Sequence, residues 1–378
     1  MRLHYSTVRP AMTDKPQIHF IQALRALAAM MVLIWHFRPA VKGDIESSVL
    51  TLFFANGFSG VDVFFVISGF IMVYSTGGRS GGAKNALVFL AKRFARIWPL
   101  YAFGTILYVL FLISLGWMTT EEYIKTALSL VFYPVAPAPT LDVGWTLNIE
   151  IYFYLVFSFC LLFNRLRWLV AGTWITLTVA VQSMVTDFSF VPPSLSFLTP
   201  LLGQAIHPCI PEFFAGMVIA AFFMSNITVS KRMGLPIAGL LVSFAVWQYL
   251  DGFYNKPGIY GMGAGAIALV LGFAIAEKSG AGWKPGAVLM WLGNISFSIY
   301  ILHTTVGLAL TRVLKNTPLA DHLGIGYVVF LIVVVLLLST LPHALIEQRL
   351  STALSQFITA RITRKQPNNA QDGVATAA

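Results

Sequence analysis

Long apolar runs separated by short polar stretches dominate the chain, at residues 20–37, 56–75, 97–116, 145–163, 168–186, 207–225, 235–250, 259–276, 289–311 and 325–346. A hydrocarbon core of about 30 Å takes about 20 apolar residues per helix, so the pattern predicts an all-α, polytopic integral membrane protein with about ten transmembrane helices. A shorter piece, Thr119–Tyr133, carries a Thr119/Glu122 capping box, and Ile124, Ala127, Leu128, Val131 and Phe132 recur there at helical spacing. It predicts a helix lying along the membrane surface, ended by the proline-rich run Pro134–Pro139. No internal repeat is visible, which argues against a transporter built from inverted repeats.

The divisions expected from this pattern are a polar, cytoplasmic N-terminal segment over 1–17, a membrane domain over 18–350 and a cytoplasmic tail over 351–378, disordered after Thr363. The first segment carries Arg2, Arg9 and Lys15 with no apolar stretch before the first long run, which is unlike a cleaved signal peptide.

Composition excludes a soluble globular protein: 57% of the 378 residues are hydrophobic and 11% are charged, against about 25% charged in soluble domains. The 25 Lys and Arg against 15 Asp and Glu, on so apolar a chain, suit anionic lipid headgroups rather than nucleic acid. Placing the N-terminus inside puts eighteen basic residues on the inner side and six on the outer, with Arg25 inside the first helix. That is the positive-inside bias expected of a ten-span protein with both termini in the cytoplasm. Cys160 and Cys209 fall in apolar runs and read as buried thiols, and no metal-ligand spacing, phosphate-binding loop, nucleophile elbow or dinucleotide fingerprint stands out.

Ionisable groups at bilayer depth are costly unless they face partners or water, so each is a functional candidate. They are Arg25 and His36 in the first run, Asp62 in the second, Glu150 in the fourth, Glu212 in the sixth and His303 in the ninth. Arg25 and His36 share a helix face about 16 Å apart along the axis, sharing a stripe without touching. With this topology Asp62 and Glu150 fall near the outer end, at a depth similar to His36, where a carboxylate could orient the imidazole of a general base. The competing roles are inward snorkelling for Arg25 and helix capping or helix–helix bonding for Asp62. Arg93 and Arg96 lie one turn apart, expected just before the third span with Pro99 in its first turn. They suit either lipid anchoring or bidentate phosphate binding. Ser298, Tyr300 and His303 could serve helix–helix hydrogen bonds, and His343, Glu347 and Arg349 could meet the Arg93/Arg96 group near the inner end of the tenth span.

Four of these pieces together, Arg25 and His36 with ten residues between them, GVDVFFVISGF, the Arg93/Arg96 pair before Pro99, and WTLNIE from Trp145 to Glu150, resemble the membrane acyltransferase family 3. The likeness covers about residues 18–350 and is greatest to exopolysaccharide-production acetyltransferases of the ExoZ type. It implies transfer of an acyl group, commonly acetyl, from acyl-CoA to a hydroxyl of a cell-surface or exported polysaccharide or its lipid-linked precursor, in a bacterial inner membrane. No bound cofactor is implied, acetyl-CoA being a donor substrate. The partners implied are the bilayer, the sugar acceptor and a polysaccharide-synthesis assembly. Arg25, Arg93 and Arg96 would hold the CoA phosphates. His36 would act as general base or as an acylated nucleophile, with Glu150 or Asp62 orienting it and Trp145, Asn148 and Tyr152 as nearby oxyanion donors. The rival readings are a transporter or flippase for a lipid-linked sugar or small anion, and a structural subunit of an export assembly.

Overall fold

A computed structural model describes residues 17–40, 55–77, 81–185, 192–314 and 325–363. The segment before Gln17 and the tail after Thr363, with the disorder expected of it, lie outside the described residues. Among the described residues there are helices and loops but no strand. In lipid every backbone N–H and C=O needs an internal partner, and the helix supplies both.

The helices are α1 (His19–Phe37), α2 (Gly60–Thr76), α3 (Ala83–Ser114), α4 (Thr120–Leu130), α5 (Gly144–Leu162), α6 (Arg167–Met184), α7 (Thr199–Ala205), α8 (Ile210–Met224), α9 (Lys231–Asp251), α10 (Met262–Lys278), α11 (Ala287–Leu314), α12 (Ile325–Pro342) and α13 (Ser351–Thr363). Each of the ten apolar runs falls on one of them. Seven helical segments are long and apolar enough to cross a membrane, or eight if the pair Ser194–Ala205 and Ile210–Met224, bent by 40°, counts as one span. Seven or eight, rather than ten, therefore meet that requirement among the described residues. Three helices fall short, α6, α8 and α10. The 18 residues of α6 are diluted by Arg167, Thr173, Thr176, Thr178, Gln182 and Ser183. At 15 and 17 residues, α8 and α10 are shorter than the bilayer needs, and neighbouring helices cover them.

The surface helix is present as α4. Thr119 caps it, its hydroxyl accepting from the Glu122 N–H at 3.3 Å, and Ile124 stays 59% exposed, as an apolar face turned toward lipid would be. The third span differs from expectation. Its helix starts at Ala83 rather than near Pro99, so Arg93 and Arg96 lie well inside one continuous 32-residue helix. Pro99 removes one backbone donor from its middle, a loss that neighbouring helices make tolerable in membrane bundles. After α12 the chain widens into a π-type segment, His343–Leu350, before α13, which packs back on α3.

The largest interface joins α2 and α8, and two glycines set its closeness. A Cβ on Gly69 would lie 1.9 Å from the Phe213 carbonyl oxygen, and one on Gly216 would lie 1.9 Å from that of Val66. Small residues let helix backbones approach in this way. Gly216→Ala or Gly69→Ala is therefore expected to destabilise the fold by about 1–3 kcal/mol, the range for overpacking, because rigid backbone stands in the way. Thermal unfolding in detergent checks this, with Gly172→Ala, which meets nothing within 4 Å, as the neutral control.

Candidate active site

A cavity of about 910 Å3 lies among α1, α2, α3, α5 and α11. At one end its walls are polar, with Gln17, Lys84, Lys92, Arg93 and Arg96; at the other they are Val61, Phe64, Thr146 and Tyr300. Along α2 the lining runs from Thr76 to Val61, fifteen residues or about 22 Å of helix. The cavity therefore covers most of a hydrocarbon core in depth.

Arg25, Arg93 and Arg96 line it together. Arg93 donates to the Ser75 hydroxyl at 2.7 Å and lies over the rings of Phe89 (5.3 Å) and Tyr154 (5.6 Å). Arg25 donates to the Gln22 side chain at 3.3 Å and stands within electrostatic range of Arg96, Glu347 and Glu150. Glu347 belongs to the π-type segment, where it accepts from Ser298 and lies 3.4 Å from His343. Three guanidinium groups in one cavity wall, with two carboxylates near them, form a pocket suited to an anionic group such as phosphate.

Glu150 belongs to this cluster and not to His36. It sits six residues into α5, accepts from Ser68 at 2.7 Å and from Tyr154, and makes no hydrogen bond to His36. The expectation that it shares His36's depth fails although α5 starts where expected, because Glu150 lies in its second turn, about 9 Å along the axis, beside Ser68 in the middle of α2. Asp62 is likewise turned away. Asp62, Val66, Gly69 and Val73 form the stripe of α2 that faces α8, whereas Val61, Phe64, Ser68 and Ser75 face the cavity. Asp62 is 1% exposed, accepts from the Gly258 N–H at 3.1 Å, and has an oxygen within 4.8 Å of ligand atoms of Cys209 and Glu212. No metal site was expected, and Asp62 nevertheless meets Cys209 and Glu212, a pair one helical turn apart and far from it in sequence. Cys160 and Cys209 are both buried and unpaired, as expected.

The three oxyanion candidates are on the wrong side of α5. Trp145 packs on Phe65 and His207, and Tyr152 on Trp174; neither they nor buried Asn148 lines the cavity. The residues that do are Thr146, Leu147, Glu150 and Tyr154, which the helical repeat puts on the opposite face. Ser68, Ser75, Thr146 and Tyr154 carried no sequence signal, being ordinary residues of apolar helices.

Beyond the cavity's apolar end lie the histidines. Phe64 meets Tyr300 edge to face at 5.8 Å between ring centres, Tyr300 meets His303 at 5.9 Å, and His303 meets His36 at 4.7 Å. Tyr300 is held by Thr146, hydroxyl to hydroxyl at 2.7 Å, and donates to the Val143 carbonyl at 3.3 Å. His303 is fully buried, and its Nε2 lies 3.2 Å from Nδ1 of half-buried His36. The imidazole partner is therefore a second imidazole, and the carboxylate within electrostatic range of His36 is Asp142, exposed just before α5. One layer of side chains separates the end of the cavity from His36.

The fold and the cavity define a class, a multi-pass membrane protein with a basic cavity entered at one end of the bundle and a histidine pair beyond the other. The chain belongs to the acyltransferase family whose model, described as an acyltransferase domain, matches residues 18–343. It is 30% identical over 271 residues to the exopolysaccharide production protein ExoZ of Rhizobium meliloti (strain 1021), covering 66% of this chain and 77% of that one. It is 28% identical over 322 residues to the acyltransferase MdmB of Streptomyces mycarofaciens, covering 76% and 78%. No solved structure matches. The protein is a membrane O-acyltransferase.

Proposed function

We propose that this acyltransferase takes an acyl group, acetyl in the first instance, from acyl-CoA and delivers it to a hydroxyl of an exported polysaccharide or its lipid-linked precursor. The observation that carries the reading is the single cavity joining Arg25, Arg93 and Arg96 at depth to the Tyr300–His303–His36 group beyond its far end. In this reading the basic end faces the cytoplasm of a bacterial cell with both termini, and the ten apolar helices sit in the inner membrane. The donor's phosphates lie on the arginines, and its thioester arm extends toward Phe64 and Tyr300. The acceptor approaches from the His36 end.

The imidazole of His36 takes the proton of the acceptor hydroxyl as its oxygen attacks the thioester carbonyl carbon; the carbon–sulfur bond breaks and the CoA thiolate recovers the proton from the imidazolium. Tyr300, whose hydroxyl is next to the cavity's end, replaces Trp145, Asn148 and Tyr152 as the donor nearest a developing oxyanion, its one proton turning there from the long bond to the Val143 carbonyl. A histidine base needs neither metal nor bound cofactor for this step. The likeness to ExoZ, an exopolysaccharide production protein, supports an exported polysaccharide as the acceptor, and the likeness to MdmB supports the acyl transfer itself.

The test is the incubation of purified protein in detergent with acetyl-CoA labelled in its acetyl group and an envelope polysaccharide fraction. CoA-dependent label in polysaccharide is the expected result. Because detergent leaves no compartment to fill, transport cannot mimic it, and absence of label with every acyl-CoA and acceptor fraction offered overturns the reading.

A further inference from the structure

We propose that His303 is the positioning residue for His36, holding it as the Nδ1–H tautomer so that Nε2 is the bare nitrogen presented to the acceptor. The hydrogen-bond geometry allows one consistent arrangement. Nδ1 of His303 lies 2.8 Å from the Tyr300 carbonyl oxygen and 3.1 Å from that of Ile299. Carbonyls only accept, so this nitrogen carries the proton. A neutral ring then has a bare Nε2, which must accept. The atom opposite it at 3.2 Å is Nδ1 of His36, which also lies 2.9 Å from the Val32 carbonyl oxygen. A proton on that Nδ1 satisfies both acceptors at once.

The reverse assignment fails at three places. Were His303 to donate from Nε2, its bare Nδ1 would face two carbonyl oxygens. The bare Nδ1 of His36 would face a third. His303 is 0% exposed, so water is not at hand to relieve those contacts, and buried lone pairs set against each other cost free energy with nothing to offset it. Both helices thus dictate the proton positions: Ile299 and Tyr300 in α11 fix His303, and His303 with Val32 in α1 fixes His36.

The consequence for chemistry rests on the acyl-transfer reading. When His36 Nε2 takes the hydroxyl proton, the imidazolium keeps its Nδ1–H bonded to a neutral acceptor, where better-known histidine bases use a carboxylate. His303 orients the ring and steadies the charge without touching substrate, and Tyr300 supplies its backbone carbonyl to this chain while its side chain closes the donor cavity. One short stretch of α11 therefore couples the two halves of the site.

The tautomer is read by solid-state NMR of the full-length protein in lipid with 15N-labelled histidine, the His36 signals being assigned by their loss in His36→Asn. Near neutral pH we expect His36 to show a protonated-type Nδ1 and a bare-type Nε2; a protonated Nε2 or an even mixture overturns the proposal, and neither result depends on acyl transfer. The kinetic arm uses two variants. His303→Leu is expected to lower kcat by at least about tenfold with KM for acetyl-CoA unchanged, whereas His303→Gln, whose amide oxygen can accept in place of Nε2, stays within about threefold of wild type. Equal losses in Leu and Gln, or a change confined to KM, overturn the positioning role. Protein that shows the expected tautomer and transfers no acyl group would sink the acyl-CoA reading while leaving the proton arrangement in place.

Discussion

Membranes carrying His36→Asn or His36→Ala are expected to transfer about a thousandfold less labelled acetyl to polysaccharide than wild-type membranes at equal protein level. A positioned general base contributes about 10²–10⁴ in rate, and of the two histidines beyond the cavity's apolar end His36 is the one that is not fully enclosed. The two substitutions separate chemistry from packing. Asparagine keeps an N–H for the Val32 carbonyl and for Nε2 of His303, so the helix contact persists and only the base is lost; alanine removes both. If both variants fall alike, the defect is the proton acceptor. If asparagine retains activity near wild type, proton transfer by His36 is wrong and catalysis sits elsewhere on the chain.

The second expectation concerns the donor. Replacing Arg93 and Arg96 together by glutamine should raise KM for acetyl-CoA by about ten- to a hundredfold and leave kcat within a few-fold, because phosphates held at a distance from the thioester are bound equally in the ground and transition states. Glutamine keeps a neutral donor, so each replacement forfeits about half of the roughly 1.5–3 kcal/mol of a charge-assisted hydrogen bond, about 1.5–3 kcal/mol for the pair, which sets the range. Arg93 also donates to Ser75 and covers Phe89 and Tyr154, so Arg93→Lys is the control that preserves charge but not the planar fork. It should fall between wild type and the glutamine pair. The effect should weaken at high salt, since Lys84 and Lys92 at the same mouth add only a screened attraction. An unchanged KM with a collapsed kcat would instead make the arginines part of the fold or of the reacting centre.

What the sequence disclosed about the site follows the physics of each signal. Arg25 was legible because charge inside an apolar helix has few bland explanations, whereas Arg93 and Arg96 read equally as lipid anchors and as a phosphate-binding pair one turn apart, and only the cavity wall unites the three. His36 was legible for the same reason as Arg25. Its partner was not: the carboxylates Asp62 and Glu150 looked to be the right kind of neighbour, yet α2 and α5 are apolar on every side, and sequence gives no clue to which stripe faces which helix. Asp62 turned to α8 and Glu150 to the arginines. His303 read as a packing histidine, and only the backbone carbonyls of Ile299 and Tyr300, invisible in a sequence, show which of its nitrogens bears the proton.

Hydrophobic length and charge determined the all-helical membrane architecture by themselves, since continuous apolar runs of this length fit helices that satisfy their own backbone in lipid, whereas the strands of a closed barrel alternate apolar and polar residues. The Thr119 cap and the buried, unpaired cysteines were equally local matters, settled by a few neighbouring residues. The tertiary structure alone decided that α8 and α10 are short central helices, that Gly69 and Gly216 bring α2 and α8 into backbone contact, and that α3 begins at Ala83, so the arginines lie inside it. It also decided that a cavity from the basic end stops one side-chain layer short of a histidine pair. Those outcomes depend on how each helix is rotated about its own axis, which is set by packing against other helices and leaves almost no trace in a uniformly apolar sequence.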